Sequence, residues 1–375
     1  MKTIGFDVTV LNDKQKTGIA VYNYNLLENI LKINKTDRFI LFGVSNFTTF
    51  NFLNDLPFKN YPNVEVKIFK ISARIFRTAF LLWQRTGWPP IERFTGSIDI
   101  FHSFNFYLPP QKAGKVVATV FDMTPSLFPY LHLEKTIQLD KMRMNRIKKR
   151  ADLVVTISEN SKKDFLKFAP QKRVEVIYPG LSDNFSREID KSKIRRILRK
   201  YNLKSGYILS VGTLEPRKNI KFLIDAYLKS NINRKLVLVG IAGWKNSELL
   251  KLIDKNKDRI TALGFIPDED LPYIYSRAEC LVYPSLYEGF GLPVLEALAF
   301  SIPVICSRSS SLKEVGGDAA YYINPMKENS LINALIEIIK NKKLRRDLTA
   351  KGEKQVKKFS WKTSASRLNL LYQQL

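Results

Sequence analysis

Between residues 206 and 306 the chain repeats one pattern: a short apolar run, a turn, then a segment whose apolar residues recur at helical spacing. Residues 207–211 read as a buried strand, and Ile220, Leu223, Ile224 and Tyr227 share one helical face. Residues 235–240 predict a strand ending at a glycine, 247–253 a helix, 260–263 a strand, 271–277 a helix and 303–306 a further strand. Parallel neighbours can be joined only by a crossover, so this rhythm requires a parallel sheet, with its ligand site beyond the carboxyl ends of the strands. The fold class is α/β with a doubly wound sheet.

The first half repeats the rhythm less regularly. Residues 3–10 predict a strand, and Gly18 opens a helix with Ile19, Tyr22, Leu26 and Ile30 on roughly one face. Residues 38–44, 64–71, 98–101, 115–121 and 153–157 complete the expected strands. A length of 375 residues exceeds what one hydrophobic core ordinarily serves, so two domains are expected, with Tyr178-Pro179-Gly180 as the candidate hinge. Phe359-Ser-Trp361 leads into a last helix through Leu368, Leu371 and Leu375.

Two segments carry chemistry. In Tyr283-Pro-Ser-Leu-Tyr-Glu-Gly-Phe-Gly-Leu-Pro-Val-Leu-Glu296 a strand ends at Pro284 and a helix starts near Pro293. Glu288 then lies on the loop and Glu296 in the first helical turn. Gly289 and Gly291 let the backbone approach a ligand, and the unpaired amides of a helix start favour an anion such as phosphate. The competing reading is that Glu296 complements the helix dipole and the glycines make a turn. The second segment is Gly206-Tyr-Ile-Leu-Ser-Val-Gly-Thr-Leu-Glu-Pro-Arg-Lys-Asn219, with Asn219 as the expected N-cap of the following helix. Arg217 and Lys218 sit just before that helix, where a cation opposes the dipole by about 0.3–1 kcal/mol. A diphosphate would resolve the conflict, and solvated surface charge is the alternative.

The Glu288-x7-Glu296 spacing, set in EGFGLPVLEA after Tyr-Pro-Ser, resembles the signature of retaining, GT-B-fold glycosyltransferases of family 4, the group 1 glycosyltransferases. The resemblance is strong over residues 206–325 and looser elsewhere. It implies two Rossmann-like doubly wound domains facing a cleft: an acceptor domain over 1–180, with helix 360–375 crossing back onto it, and a nucleotide-sugar donor domain over 181–359. By resemblance, Arg217 and Lys218 hold the donor diphosphate, and Glu288 with Gly289, Phe290, Gly291 and Leu292 orients the sugar. Glu296 takes the ribose hydroxyls, and Gly212 belongs to the donor site. Gly240, Gly243 and Trp244 follow the next strand, where the family often places the base, although Trp244 reads rather as a packing residue. Gly18 matches a glycine-rich loop facing the donor phosphates, with Thr17 where a second glycine is frequent. Phe121-Asp122 stands where many relatives have His-Asp, so a histidine contact to the donor sugar is missing. Asp122 either serves the acceptor or caps the turn before Pro125, and His102 resembles a residue often facing the cleft on the acceptor side, although a lone histidine is more often a structural hydrogen-bonding residue. Arg217, Lys218, Glu288 and Asp122 are the catalytic candidates.

A net charge of +26 raises the question of nucleic acid, but the excess is spread along the chain, +12 over residues 1–180 and +14 over the rest. Neither half has a zinc-finger, RNP-like or basic-zipper pattern, so no specific nucleic-acid partner is expected. Residues 69–88 mix Lys70, Arg74, Arg77 and Arg85 with Ile75, Phe76, Phe80, Leu81, Leu82 and Trp83, without an acidic residue. Arg143, Arg146, Lys148, Lys149 and Arg150 follow in the same half. These runs either meet an anionic membrane surface or pack one face inward and solvate the other. No run reaches the roughly 20 apolar residues of a membrane span, and the first residues are strand-like, so a cytoplasmic protein, peripheral at the inner membrane face, is expected. Cys280 and Cys306 form no metal pattern, and no metal or cofactor is expected.

The expected activity is transfer of a sugar, mannose by family analogy, from a GDP- or UDP-sugar to a glycan or lipid-linked hydroxyl, with retention, in cell-surface polysaccharide or glycolipid synthesis. A GT-B sugar-nucleotide epimerase would share the donor site, and a non-catalytic cationic protein binding membrane or nucleic acid would have lost turnover.

Overall fold

The computed structural model describes the chain apart from residues 13–16, 47–55, 72–77, 79–81, 84, 105–107, 186–188 and 245. Its contacts divide it into two compact units, Met1–Gly180 with Ser360–Leu375, and Leu181–Phe359.

The first unit holds seven strands: β1 (Thr3–Asp7), β2 (Arg38–Asn46), β3 (Val64–Ile71), β4 (Ile100–Ser103), β5 (Lys115–Val120), β6 (Leu153–Thr156) and β7 (Val174–Val176). They lie in the order β3-β2-β1-β4-β5-β6-β7, every neighbouring pair parallel. β7 was outside the expected set, because three residues are too few to display a periodicity. The strand expected over 3–10 stops at Asp7, whose carboxylate accepts the Thr9 N–H (3.0 Å) and turns the chain into a short 3-10 segment.

The helix Gly18–Ile33 begins where Thr17 Oγ1 accepts the Ala20 N–H (3.3 Å), and it buries Tyr22, Leu26 and Ile30, while Ile19 stays partly exposed. The helix Trp361–Gln373 packs against it, with the Tyr22 and Trp361 rings edge to face. Ser364 Oγ donates to the Tyr178 carbonyl (2.6 Å). Gly180 permits that approach, since a Cβ there would lie 2.4 Å from the Trp361 nitrogen.

The second unit holds β8 (Tyr207–Val211), β9 (Leu236–Val239), β10 (Ile260–Ala262), β11 (Ala278–Tyr283), β12 (Val304–Ser307) and β13 (Ala320–Ile323). The order β10-β9-β8-β11-β12-β13 is again wholly parallel. Ile208, Leu236, Leu238, Cys280, Val282 and Ile305 pack with Leu223, Ile224 and Tyr227 of helix Ile220–Lys229 and with Leu331, Leu335 and Ile338 of helix Glu328–Lys340. Both cysteines are free, buried, and behave as small apolar side chains. Strand order reverses between β8 and β11, so the crossovers leaving these neighbours diverge and open a crevice at their carboxyl ends.

Two glycines show how closely the loops at that end are laced. Gly240, after β9, has φ +142°, and a Cβ on it would lie 2.1 Å from the Gly212 carbonyl oxygen; Gly264, after β10, has φ +67° with nothing within 4 Å. Gly264→Ala should cost only the backbone strain, about 1 kcal/mol, whereas Gly240→Ala adds a steric conflict and should cost about 2–4 kcal/mol. Urea unfolding of both variants decides the point, and equal losses would show that the close approach is not what requires Gly240.

Candidate functional site

The loop after β8 starts at Gly212, with φ +143° and its Cα-side space filled by the Lys218 side chain. Leu214 donates its N–H to the Ile241 carbonyl (2.9 Å) and accepts from Gly243 (3.1 Å), tying this loop to the one after β9. Pro216–Lys218 then forms a 3-10 turn that presents Arg217 and Lys218. Asn219 follows in the left-handed conformation and does not cap the next helix with its side chain, contrary to expectation. Its Nδ2 instead donates to the Pro325 carbonyl (3.0 Å), which pins the turn to a distant loop.

The loop after β11 comes to meet it. Leu286 N–H donates to the Arg217 carbonyl (2.9 Å), and Gly291, at φ +112°, turns the chain into the helix Leu292–Ala299 with Pro293 in its first turn. Arg217 Nη1 donates to Glu288 Oε2 (2.6 Å) and to the Tyr287 carbonyl (3.0 Å), and Lys218 Nζ donates to Glu288 Oε1 (2.7 Å). Arg217 also holds Glu215 Oε1 through Nε (3.0 Å) and Nη2 (2.7 Å). Lys218 Nζ donates to the Tyr283 hydroxyl and lies 4.8 Å from that ring's centroid. The segments after two adjacent strands, about 70 residues apart in sequence, thus close into one buried cluster of two cations and two carboxylates.

The electrostatics follow from burial and sharing. Burial pushes the Glu288 carboxyl up, but Arg217 and Lys218 outweigh it and hold it at about 2, so it is ionised throughout the physiological range. Burial, with Arg217 beside it, pulls the Lys218 ammonium below its ordinary value, against the opposing pull of Glu288. The conflict expected of Arg217 and Lys218 at a helix start is therefore already answered within the chain by Glu215 and Glu288. Glu215 was not singled out from the sequence; its only signal there is its place two residues before Arg217. Both Glu288 oxygens are engaged by the cations, though a carboxylate keeps further lone pairs for a hydroxyl donor.

Glu296 lies in the second turn of its helix, not the first, because the helix begins at Leu292. Complementing the dipole is thus not its role. Its Oε2 accepts the Tyr275 hydroxyl proton (2.7 Å), and Tyr275 is itself buried and stacked on Phe300. Burial, reinforced by the charge of Asp268 and resisted by Tyr275, pushes this carboxyl up to about 7.

Gly18, His102 and Asp122 belong to the other unit. Gly18 is exposed at the first position of its helix. Asp122 Oδ1 accepts the Thr124 N–H (2.9 Å), which is the turn-capping alternative, and Phe121 is buried edge to face with the Tyr22 ring. Of the two readings of His102, the structure favours the structural hydrogen-bonding one over the acceptor role. The ring is wholly buried, Nδ1 is bonded to the Tyr372 hydroxyl and Nε2 to Thr119 Oγ1 (2.8 Å), and burial depresses its pKa well below the ordinary value. With both nitrogens engaged it ties the last helix to the sheet. Arg143 likewise leaves the expected basic surface: it is buried and donates to the Thr119 carbonyl. Half of the basic-aromatic run 69–88, including Arg74, Ile75, Phe76, Arg77, Phe80 and Leu81, lies outside the described residues. Among the described residues no helix is long and apolar enough to cross a membrane.

The family profile described as "Glycosyl transferases group 1" matches residues 190–355. The chain is 33% identical over 277 residues to the O-antigen chain mannosyltransferase B of Escherichia coli, covering 72% of each protein. It is 30% identical over 256 residues to the serotype-specific mannosyltransferase WbdA of Escherichia coli, covering 64% of this chain but only 31% of that longer one. Among solved structures, sucrose-phosphate synthase from Thermosynechococcus elongatus matches with a TM-score of 0.77 at 20% identity, covering 100% of this chain and 99% of that one. Anabaena HepE in complex with UDP and glucose matches at 0.73 and 18% identity over 100% of both. These likenesses establish the GT-B fold.

A carboxyl raised from 4.5 to about 7 on folding favours the folded state fully only below 4.5, and loses that contribution as pH rises through 7. Glu296→Gln keeps an acceptor for Tyr275 but has no proton to lose. Its stability relative to the parent should therefore increase across that window, by on the order of 1–3 kcal/mol at alkaline pH after allowing for partial exposure. Thermal unfolding of both proteins from pH 4 to 9 tests this, and a pH-independent difference would refute it.

Proposed function

The chain belongs to the group 1 glycosyltransferases, and from that premise we propose that it transfers a hexose from a nucleoside diphosphate to a hydroxyl of a glycan or lipid-linked acceptor, with retention at the anomeric carbon. The observation that carries this reading is the Arg217–Glu288–Lys218 cluster at the carboxyl ends of β8 and β11, where strand order reverses. Cations fixed there before the substrate arrives are suited to the charge that develops on a departing diphosphate, and they need no reorganisation as it leaves.

In this reading Arg217 and Lys218 bind the diphosphate, and Glu288 holds both cations at the required spacing while keeping lone pairs for a sugar hydroxyl. The turn Gly289-Phe290-Gly291-Leu292 lines the sugar, Gly212 admits the Lys218 side chain, and Glu296 accepts from the ribose hydroxyls. A carboxylate shared by two cations is a poor nucleophile, so no covalent glycosyl-enzyme step is assigned to Glu288. The cations supply the charge stabilisation a metal would give, and no metal or cofactor is invoked. Asp122 is proposed to serve the acceptor and Gly18 the donor phosphates.

Mannose is the proposed sugar because the similar Escherichia coli proteins are named mannosyltransferases, and the O-antigen chain in the first one's name supports a product in cell-surface polysaccharide. GDP and UDP both stay in play for the base, HepE having been captured with UDP. Calorimetric titration of GDP, UDP and their sugar conjugates into the parent should show one selected base. Arg217→Ala and Lys218→Ala should each lower kcat by roughly 10²–10³-fold, the scale of losing one preorganised charge contact. No nucleotide binding by the folded parent would sink the reading, and conversion of the donor sugar without acceptor would favour the epimerase.

We also propose peripheral attachment at the cytoplasmic membrane face. Leu127, Tyr130 and Leu133 are exposed just before the helix Glu134–Arg150, whose Lys141, Lys148, Lys149 and Arg150 are also exposed. Apolar side chains beside a cationic helix suit an anionic bilayer surface. Sedimentation with anionic vesicles should carry the protein down at low salt, and Tyr130→Ser with Leu133→Ser should weaken this several-fold. Equal sedimentation with neutral vesicles would argue against it.

A further inference from the structure

The loop after β12, Arg308-Ser-Ser-Ser311, with Leu312 at the start of the next helix, belongs to neither signature segment, yet it grips the Glu288 turn at successive points. Ser309 Oγ donates to the Ser285 carbonyl (3.2 Å). Ser310 Oγ accepts the Glu288 N–H (2.8 Å). Ser311 Oγ lies 2.8 Å from both the Glu288 and the Phe290 carbonyl oxygens, and its single proton serves one at a time. Leu312 seats against Gly291, where a Cβ would come within 2.6 Å of its Cδ2. Ser311 and Leu312 are fully buried.

Both backbone polar groups of Glu288 are therefore held by serine hydroxyls. Held so, the Glu288 Cα is fixed, and its carboxylate reaches Arg217 and Lys218 without a search through backbone conformations. Ser310 adopts φ +49°, the left-handed region that a residue with a Cβ enters at a cost and that glycine enters freely. Glycine would ease the backbone there but would bring no hydroxyl to Glu288. The strain and the hydrogen bond thus separate stability from site geometry at one position.

We infer that Ser310 and Ser311 are positioning residues of the donor site, setting Glu288, and through it Arg217 and Lys218, for the nucleoside-diphosphate sugar. This role rests on the donor-site reading. The test compares the parent with Ser310→Gly and Ser311→Ala in thermal unfolding, in calorimetric titration with GDP and UDP, and in donor and acceptor KM. Ser310→Gly should unfold at the same or a higher temperature while the Kd of the selected nucleotide and the donor KM rise about 3- to 10-fold, with acceptor KM unchanged. Ser311→Ala should weaken the nucleotide similarly, and Ser310 being partly exposed keeps the test decisive if the buried Ser311 variant fails to fold. Parent-like nucleotide affinity in a folded Ser310→Gly protein would overturn the role while leaving the donor site intact. Affinity and unfolding temperature falling together would also overturn it, by showing a merely structural serine. A parent that binds neither nucleotide would overturn both the donor site and the role.

Discussion

One buried carboxylate, Glu288, organises the second unit of this glycosyltransferase. Arg217 and Lys218 each donate to a different oxygen of it, and all three side chains are largely withdrawn from water. In a low-dielectric site such charges persist only when paired, and removing one partner of a buried pair typically costs about 3–5 kcal/mol because the other charge is stranded. The Glu288 carboxyl at about 2 expresses this: two cations outweigh the burial that pushes it up. The loops after β8 and β11 are thereby locked together at the reversal of strand order.

Second contacts keep that lock from being floppy. Glu215 holds the far side of the Arg217 guanidinium, Tyr283 shares Lys218, and Asn219 ties the turn to the Pro325 carbonyl. The glycines at 212, 240 and 291 contribute by absence, because loops after neighbouring strands approach to distances no Cβ would allow at 240 and 291. Serine hydroxyls from the loop after β12 complete the support on the backbone of Glu288. The connections leaving four neighbouring strands, β9, β8, β11 and β12, are thus drawn toward one point, as a doubly wound sheet permits at only one place along its edge.

Much of the fold was readable because burial of both faces of a parallel sheet writes continuous apolar runs into the sequence. β3 and β8 have the ends expected of them, and most other strands differ by a residue or two. What escaped was β7, whose Val-Glu-Val is too short to carry a period, and β13, whose Ala-Tyr-Tyr-Ile has two partly exposed tyrosines and so lacks the apolar run. The turn after β1 was missed because the side chain of Asp7, rather than a glycine or proline, ends the strand.

For the site, the sequence by itself determined which residues are candidates: a cation pair after one strand, and glutamates and glycines around the next helix start, each marked by local turn chemistry. Only the tertiary structure decided what those residues do to one another. That Glu288 lies between Arg217 and Lys218, 71 and 70 positions away, depends on β8 and β11 being neighbours. That His102 is consumed by Tyr372, 270 positions away, depends on the last helix packing on the first unit. That burial, reinforced by Asp268 and resisted by Tyr275, pushes the Glu296 carboxyl up to about 7 depends on neighbours that come from another turn of the chain. Local periodicity and turn propensity act over a few residues and survive in the sequence; charge pairing, burial and pKa are set by whatever folding brings within a few ångströms, and for these residues that came from far along the chain.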